Sequence, residues 1–162
     1  MEQHTIPPIF DENSKVLILG SFPSVKSREA QYNYGNPQNR FWRVLAGILG
    51  REVPSTPAEK GAMLLQNNIA LWDVIAFCDI DGSDDSTIRN VIPNDIRIIT
   101  DTADIKQIFT NGGTADKLYK KYCVSQTGIP AIRLPSTSPA NAGSSLETLV
   151  KAWEIVTEAL KQ

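Results

Sequence analysis

The sequence predicts an α/β sandwich with a mostly parallel sheet. Short apolar runs of strand length alternate with segments of helical periodicity, and this alternation is typical of a parallel sheet covered by helices. The chain has 162 residues, 41% of them hydrophobic, and it contains no internal repeat or low-complexity tract. This size and composition predict one domain over residues 1–162 with a single core.

The first half of the chain begins with a buried strand. Residues 15–20, KVLILG, form a continuous apolar run closed by glycine, as expected of a strand that is covered on both faces. A long polar loop is predicted over 21–38. Helices follow at 39–49, where FWRVLAGIL has helical spacing, and at 56–67, where a threonine cap, a proline and an early glutamate mark a helix start.

The second half continues the alternation. Its predicted elements are a strand at 68–78, short helices at 82–90 and after Pro93, strands at 105–111 and 129–135, and helices at 114–122 and 145–161. In the last helix the apolar residues recur at the i, i+3, i+4, i+7 spacing of one buried face. Trp153 belongs to that face, so we expect it in the core.

Charge is distributed unevenly along a chain whose net charge is −2. Residues 14–51 carry six basic side chains and one acidic one, whereas residues 73–104 carry eight aspartates and two arginines. This asymmetry favours one positive surface on an acidic protein, although ordinary solvated charge explains it equally well. Without an apolar run of 18 residues or a signal-peptide pattern, the sequence leads us to expect a soluble, cytoplasmic protein.

Several kinds of active site lack support in the sequence. His4 is the single histidine and precedes the first strand, which argues against a Ser-His-Asp or Cys-His nucleophile system. Neither a phosphate-binding P-loop nor a dinucleotide-binding glycine pattern is present. Two cysteines are too few for a zinc or iron–sulfur site, and the acidic run at 78–85 lacks the calcium-loop pattern and is interpreted as a solvated loop. We therefore expect no metal and no cofactor.

Four polar segments follow the four main predicted strands, where parallel α/β sheets bind ligands. They are GSFPS, DVIAFC, TNGG and LPSTSPANAG. Together they offer amides, hydroxyls and backbone N–H groups, with Asp73 as the carboxylate at a strand end. Such groups suit recognition of a neutral heterocycle and stabilisation of a leaving anion by hydrogen bonds.

These segments also carry a family resemblance. GSFPS (20–24), LWDV (71–74), IFTNGGTA (108–115) and LPSTSPANA (134–142) occur in the order typical of the uracil-DNA glycosylase superfamily. The stretch YGNPQNRFW (34–42) and the following ALWDVIAFCDIDGSDDSTIRNVIPNDI most resemble the hypoxanthine-DNA (deoxyinosine) glycosylases, sometimes counted as family six. The resemblance covers nearly the whole chain, from about Ser14 to the terminal helix.

The resemblance implies a three-layer α/β/α fold with a four-stranded parallel sheet. It also implies a monofunctional enzyme of base-excision repair that flips a deaminated base out of DNA and hydrolyses its N-glycosidic bond. Leu134 stands where the uracil-specific branch has a histidine, and GSFPS lacks that branch's catalytic aspartate, so hypoxanthine is the expected base. A uracil-specific or mismatch-specific (G/U, G/T) glycosylase and a non-catalytic nucleic-acid-binding module on the same fold are the alternatives.

The resemblance makes Asn39 the catalytic residue. An amide cannot act as a general base near neutral pH, so we expect its carbonyl oxygen to hold a water beneath the sugar carbon while its NH₂ bonds a neighbour. A helix N-cap is the other interpretation of Asn39, and both can hold. The residues expected to contact the base are Gly20, Ser21, Phe22, Phe41, Asp73 and Asn111.

A second group is expected to contact DNA outside the base. Pro139 and Ala140 are predicted to form an apolar wedge in the minor groove. The residues predicted to bind phosphates are Lys26, Arg28, Arg40, Arg43, Ser136, Ser138 and Asn141. The expected partner is DNA containing a deaminated base, with no membrane association, and the expected state is a monomer.

Overall fold

The computed structural model describes residues 1–162, with seven strands and seven helices. In chain order they are β1 (Glu2–Gln3), β2 (Val16–Gly20), α1 (Val25–Ala30), α2 (Phe41–Leu49), α3 (Pro57–Gln66), β3 (Ile69–Asp73), β4 (Ile75–Asp81), β5 (Asp84–Pro93), α4 (Arg97–Thr100), β6 (Gln107–Asn111), α5 (Gly113–Tyr122), α6 (Val124–Thr127), β7 (Ala131–Leu134) and α7 (Leu146–Leu160).

Four of the strands form a parallel sheet in the order β3-β2-β6-β7. Every residue of β2 is buried, because helices cover both faces of the sheet. Val16 and Ile18 pack with residues of α2, α3 and α7, whereas Leu17 and Leu19 pack with residues of α4 and α5. The alternation of strand side chains thus divides the core into two halves, and the predicted three-layer fold is confirmed.

The terminal helix α7 buries the face that its periodicity predicts. Trp153 is fully buried, and its indole N–H donates to the Pro135 carbonyl oxygen at 3.0 Å. Its ring packs edge-on against Phe41 of α2 with 5.9 Å between centroids. Trp153 therefore lies in the core, as expected, and joins two helices of the same layer.

The predicted strand at 68–78 is in fact two strands, β3 and β4, and the predicted short helix at 82–90 is wrong. The chain leaves the parallel sheet after Asp73, and β4 and β5 then pair antiparallel in a separate sheet. Gly82 turns the hairpin with a φ of 62°, a conformation that favours glycine. The exposed, interrupted pattern of β5 resembles a polar helix in the sequence, and only its pairing with β4 fixes it as a strand.

Two segments expected to be irregular are ordered. Helix α1 lies inside the predicted loop at 21–38, and its cap is Ser24, whose hydroxyl accepts the Ser27 N–H. Strand β1 pairs antiparallel with β4 through Glu2↔Cys78 and Gln3↔Phe77. The first residues of the chain are thereby held against the second sheet.

The parallel sheet brings its four strand ends to one edge. Strands β2, β3, β6 and β7 end at Gly20, Asp73, Asn111 and Leu134. Because all four run in the same direction, the segments that follow them surround one mouth. None of the helices combines the length and the apolar character that a membrane span requires.

Candidate active site

A cavity of about 640 Å³ opens at the carboxyl edge of the sheet. This volume is within the range of small-molecule sites, about 300–1,000 Å³. Of the 25 lining residues only three are hydrophobic, so a ligand would be held chiefly by hydrogen bonds. The predicted site residues that line the cavity are Gly20, Ser21, Phe22, Asn39, Asp73, Asn111, Ser136, Ser138, Pro139, Ala140 and Asn141. Lys26, Arg28, Arg40, Phe41 and Arg43 do not line it.

The carboxylate of Asp73 is buried at the back of this cavity. Its Oδ1 lies against Gly20, where an added β-carbon would come within 2.3 Å of that oxygen. The Tyr34 hydroxyl would be 3.0 Å from the same β-carbon. Gly20 therefore serves the site by having no side chain, because any larger residue would displace Asp73.

The other oxygen of Asp73 meets a residue that the sequence analysis left outside the site. His4 Nε2 lies 2.8 Å from Asp73 Oδ2, and the two side chains are only 2% and 8% exposed. The argument against a histidine-based nucleophile still holds, since His4 contacts a carboxylate and no serine or cysteine nucleophile. Although His4 precedes the first predicted strand, the pairing of β1 with β4 brings it to the end of β3.

A second carboxylate, Asp85, reaches the cavity from the start of β5. Its Oδ2 accepts a hydrogen bond from Ser21 Oγ at 2.9 Å. Burial raises the pKa of Asp85, and the negative charge of Asp73 raises it further, while the Ser21 hydrogen bond opposes both. The interpretation of residues 78–85 as a solvated loop is therefore wrong, because they form the turn of the β4–β5 hairpin; Asp84 is exposed there, whereas Asp85 is half-buried.

We expect Asp85→Asn to make stability less dependent on pH. A carboxyl whose pKa is raised by folding stabilises the protein below its unfolded pKa, and this stabilisation is lost as the pH rises through the folded value. The asparagine variant should therefore gain urea stability over the wild type between pH 4 and pH 8. Asp95→Asn is the control, because a hydrogen bond from Arg97 lowers the pKa of Asp95, so its stability relative to wild type should stay constant between pH 4 and pH 8 and change only at lower pH. A difference between wild type and Asp85→Asn that is constant over this pH range would contradict the buried charge.

Asn39 stands where three elements meet. Its Oδ1 accepts the Phe41 N–H at 2.9 Å and the Thr137 hydroxyl at 2.8 Å. Thr137 Oγ1 in turn accepts the Asn111 NH₂ at 3.0 Å, and the Thr137 N–H donates to Asn111 Oδ1 at 3.0 Å. The network thus joins the start of α2, the end of β6 and the segment after β7.

The direction of these hydrogen bonds fixes the amide of Asn39. The oxygen of Asn111 accepts the backbone N–H of Thr137, so the NH₂ of Asn111 must be the group that donates to the Thr137 hydroxyl. The hydroxyl proton of Thr137 is then donated to Asn39 Oδ1. The two lone pairs of that oxygen are both used, and the NH₂ of Asn39 has no hydrogen-bond partner within the protein. The protein thus occupies both acceptor positions of the oxygen that is expected to hold a water. The N-cap interpretation of Asn39 is wrong, because the N-cap of α2 is Arg40; Asn39 precedes it, and its Oδ1 holds the turn at the helix start by binding the Phe41 N–H.

The amide of Asn111 is committed to the protein. Its NH₂ also donates to the Tyr34 hydroxyl at 3.1 Å, so both of its donors and its oxygen are engaged. Asn111 lines the cavity, and this arrangement gives it a positioning role instead of the expected direct contact with a base.

The aromatic side chains at the cavity differ from the predicted set. Phe22 lines it, as expected. The prediction that Phe41 stacks on the base is wrong, because Phe41 is fully buried in the core. Tyr34 separates it from the site: the two rings stack at 4.0 Å with 13° between their planes. Burial raises the pKa of Tyr34, so its hydroxyl remains a proton donor at neutral pH.

Arg40 holds the segment after β7, referred to below as the 134–142 loop. Its guanidinium donates to the carbonyl oxygens of Ser138, Asn141 and Ser144. Its own N–H donates to the Thr137 carbonyl oxygen at 3.0 Å. The predicted phosphate contact of Arg40 is thus replaced by a structural role, that of fixing the shape of this loop.

The predicted wedge residues lie exposed on the 134–142 loop. Pro139 and Ala140 occupy its turn at the rim of the cavity. Ser136 and Ser138 accept backbone N–H groups of the loop, which leaves their hydroxyl protons free to donate outward. The Asn141 NH₂ donates to the Ser136 carbonyl oxygen at 2.9 Å, so its amide stabilises the loop.

The remaining basic residues divide into paired and unpaired ones. Arg28 contacts Glu2 at 3.2 Å and donates to the Pro23 and Gly82 carbonyl oxygens, so its predicted phosphate contact is replaced by internal contacts. Lys26 in α1 and Arg43 in α2 are exposed and have no ion-pair or hydrogen-bond partner within the protein. These two remain available for phosphates.

Sequence reasoning missed four residues of the site: His4, Tyr34, Asp85 and Thr137. Each acts through a partner far away in the chain, such as Thr137 with Asn39 across 98 positions. Two of them had a signal in the sequence, since His4 is the single histidine and Tyr34 opens the segment YGNPQNRFW. Nothing in the sequence distinguishes Asp85 or Thr137 from their neighbours.

Comparisons with known proteins identify the family of the chain. A family model described as the uracil DNA glycosylase superfamily matches residues 7–157. A hypoxanthine DNA glycosylase of Methanosarcina barkeri is 38% identical over 115 residues, which cover 69% of this chain and 72% of that protein. A hypoxanthine DNA glycosylase of Methanosarcina acetivorans is 34% identical over 158 residues, which cover 96% and 98%.

A solved structure matches the whole fold. It is a solution NMR structure of a Methanosarcina acetivorans protein proposed to be a uracil DNA glycosylase, with a TM-score of 0.82 and 34% identity over 97% of both chains. The resemblance inferred from the ordered motifs is thereby confirmed in both sequence and structure. The chain belongs to the uracil DNA glycosylase superfamily.

Proposed function

We propose that this protein is a monofunctional DNA glycosylase that flips a deaminated base, hypoxanthine above all, out of DNA and hydrolyses its N-glycosidic bond. The observation that carries the proposal is the pairing, across one cavity, of a buried acceptor on Asp73 with an unpartnered donor on Asn39. The chain's similarity to two hypoxanthine DNA glycosylases supports the choice of base. The cavity is lined by residues of one chain, and we propose a monomer as the acting state.

Base recognition rests on Asp73. Hypoxanthine presents an N1–H donor beside a carbonyl group, and the free Oδ1 of Asp73 accepts that proton. Phe22 supplies an apolar ring at the cavity wall for the base to pack on. A base inside a duplex cannot reach this depth, so the nucleotide must first leave the stack, which costs a few kcal/mol and least for a poorly paired base.

Bond cleavage rests on the NH₂ of Asn39. As the bond between sugar and base breaks, its electron pair moves onto the base, water adds to the sugar carbon, and the proton that the water loses ends on the departed base. A fixed N–H donor that faces the departing base stabilises the charge developing there. The protein fixes this donor in advance, because both acceptor positions of the Asn39 oxygen are occupied by Phe41 and Thr137.

Contact with DNA outside the base rests on the 134–142 loop and on exposed basic residues. Pro139 and Ala140 form an apolar tip that can fill the gap left by the flipped nucleotide. The three carbonyl contacts of Arg40 hold that tip in place. A free nucleoside would need no such tip, so we assign DNA as the substrate.

The test is an excision assay with oligonucleotide duplexes that carry one deoxyinosine, uracil or xanthine, followed by alkaline cleavage at abasic sites. We expect the deoxyinosine duplex to be cleaved fastest. Uracil is the second candidate, because it also presents an N–H beside a carbonyl group to Asp73. Cleavage of none of the duplexes, with DNA still bound, would identify a binding module instead of an enzyme.

We expect Lys26→Gln and Arg43→Gln each to weaken DNA binding in a salt-dependent way. Loss of one phosphate contact should reduce the slope of log affinity against log salt by about one. Lys106→Gln is the matched control, because it removes the same charge just before β6, at the edge of the sheet opposite the cavity. Titration of a duplex with an abasic-site analogue at several salt concentrations measures the slopes, and equal slopes for all variants would contradict the phosphate contacts.

A further inference from the structure

His4 is placed beside the active cavity by the pairing of β1 with β4. Its backbone N–H donates to the Ala76 carbonyl oxygen at 2.7 Å, which extends the ladder of Gln3↔Phe77 by one residue. Strand β4 follows β3 after a single residue, Val74. The start of the chain is therefore held next to the strand end that carries Asp73.

The side chain of His4 is enclosed by aromatic rings apart from its contact with Asp73. It meets Phe22 and Trp72 edge-on, with centroid distances of 6.1 and 6.4 Å. An apolar residue would fill such a place without the cost of burying polar atoms. The benefit of a histidine here is thus its Nε2–H, which lies 2.8 Å from Asp73 Oδ2.

We propose that His4 is a positioning residue that determines base specificity through Asp73. Its Nε2–H holds Oδ2 of the carboxylate, so Oδ1 alone is presented to the flipped base. This inference rests on the proposed function, because it concerns how the same cavity selects its base. In this proposal, the pairing of β1 with β4 helps to form the base site, because it holds His4 next to Asp73.

The fixed carboxylate explains how hypoxanthine is separated from adenine. The two purines have the same shape, but N1 carries a proton in hypoxanthine and a lone pair in adenine. An immobile Oδ1 accepts the proton and repels the lone pair, so it discriminates in both directions. A carboxylate free to rotate would turn Oδ1 away from the base and lose part of that discrimination.

Two substitutions of His4 separate the hydrogen bond from the packing. His4→Gln keeps an N–H donor at about the position of Nε2, whereas His4→Leu fills the space without a donor. Thr5→Val is the control for the strand itself, because Thr5 is exposed and bonds only Gln31 through its side chain. Thermal melting identifies the folded variants, and all kinetic comparisons are made among those.

The readout is single-turnover excision of hypoxanthine over a range of enzyme concentrations, with a duplex lacking the base as the probe of DNA affinity. We expect His4→Leu to lower the maximal rate about tenfold or more while affinity for the base-free duplex stays unchanged. His4→Gln should recover most of the rate. In ¹⁵N-resolved NMR spectra, the Nε2–H signal of His4 should be protected from exchange with water and should lose that protection in Asp73→Ala.

Three results would overturn the inference: a wild-type rate in His4→Leu, an equal defect in His4→Gln and His4→Leu, or a parallel loss of affinity for the base-free duplex. The last would assign His4 to general structure. A wild-type protein that excises no base overturns the proposed function instead, and it does so before any His4 variant is assayed. The NMR measurement needs no activity and tests the contact by itself.

Discussion

Asn39→Ala is expected to lower the rate of hypoxanthine excision by about 10²–10³, the usual effect of removing one fixed donor from the site of developing charge. The loss should appear in the single-turnover rate and not in DNA affinity, because the NH₂ of Asn39 is proposed to act as the bond breaks. Substitution also removes the acceptor for the Phe41 N–H, which should lower the stability of the protein by about 1 kcal/mol.

Asn39→Asp distinguishes the donor from a water-holding acceptor. A carboxylate keeps the acceptor for Phe41 and Thr137 but has no N–H to offer the cavity. If the NH₂ stabilises the leaving base, the aspartate variant should be as slow as the alanine variant. A rate equal to or above that of the wild type would instead show that position 39 activates water, and the role proposed for the amide would be wrong.

Asn67→Ala is the matched control for both variants. The Asn67 amide also serves a helix end, where its NH₂ donates to the Met63 carbonyl oxygen at 2.7 Å, but it lies outside the cavity. It should share a modest loss of stability and keep the wild-type excision rate. Urea unfolding and single-turnover kinetics on the three variants therefore separate the structural role of Asn39 at the start of α2 from its role in catalysis.

Asp73→Asn is expected to abolish preference for hypoxanthine. His4 needs an acceptor at the Oδ2 position, so the new amide should turn its oxygen to His4 and its NH₂ to the base. That NH₂ would face the N1–H of hypoxanthine, donor against donor, in a buried site. Sites that leave buried polar groups unpaired reject a substrate by about 10⁴–10⁵ at most, and we expect a loss of at least about 10² here.

The same variant should gain weak activity on a base with an acceptor at that edge. Adenine N1 is such an acceptor, so a duplex with an adenine mismatch is the informative second substrate. Asp116→Asn is the control, because Asp116 is equally buried at 5% exposure but bonds Thr110 and Lys120 outside the cavity. An unchanged order of preference among hypoxanthine, uracil and adenine in Asp73→Asn would exclude base reading by Asp73.

The sequence predicted the sheet well because its signal is local. A strand covered on both faces is apolar along most of its length, and KVLILG and IALWD carry that signal in consecutive residues. The apolar face of α7 is also predicted directly by the helical spacing of its apolar residues. The polar strand β5 resembles a helix in the sequence, because it depends on its pairing with β4 and has no distinctive period of its own.

Part of the candidate site could likewise be predicted from the sequence, and part of it could not. The sequence alone predicts that four parts of the site lie close together, because parallel strands end at a common edge. They are Gly20, Asp73, Asn111 and the 134–142 loop. The spacing of the residues does not show whether Phe41 or Tyr34 faces the cavity, since both lie next to the turn. Only packing against Trp153 decides that Phe41 is the ring in the core. The internal contacts of Arg28 and Arg40 could not be predicted either, because the sequence does not distinguish a paired arginine from an unpaired one.

By itself the sequence determined the fold class, the edge of the sheet that carries the site, and the two residues, Asn39 and Asp73, on which the proposed chemistry depends. The tertiary structure alone decided how those two residues face the cavity. Hydrogen bonds from Thr137 and Phe41 occupy the oxygen of Asn39, so its NH₂ is the free group. The contact with His4 occupies Oδ2 of Asp73, so Oδ1 is the free oxygen. The physical reason is that the direction of a hydrogen bond depends on which donors surround an acceptor, and these donors come from segments up to 98 positions apart.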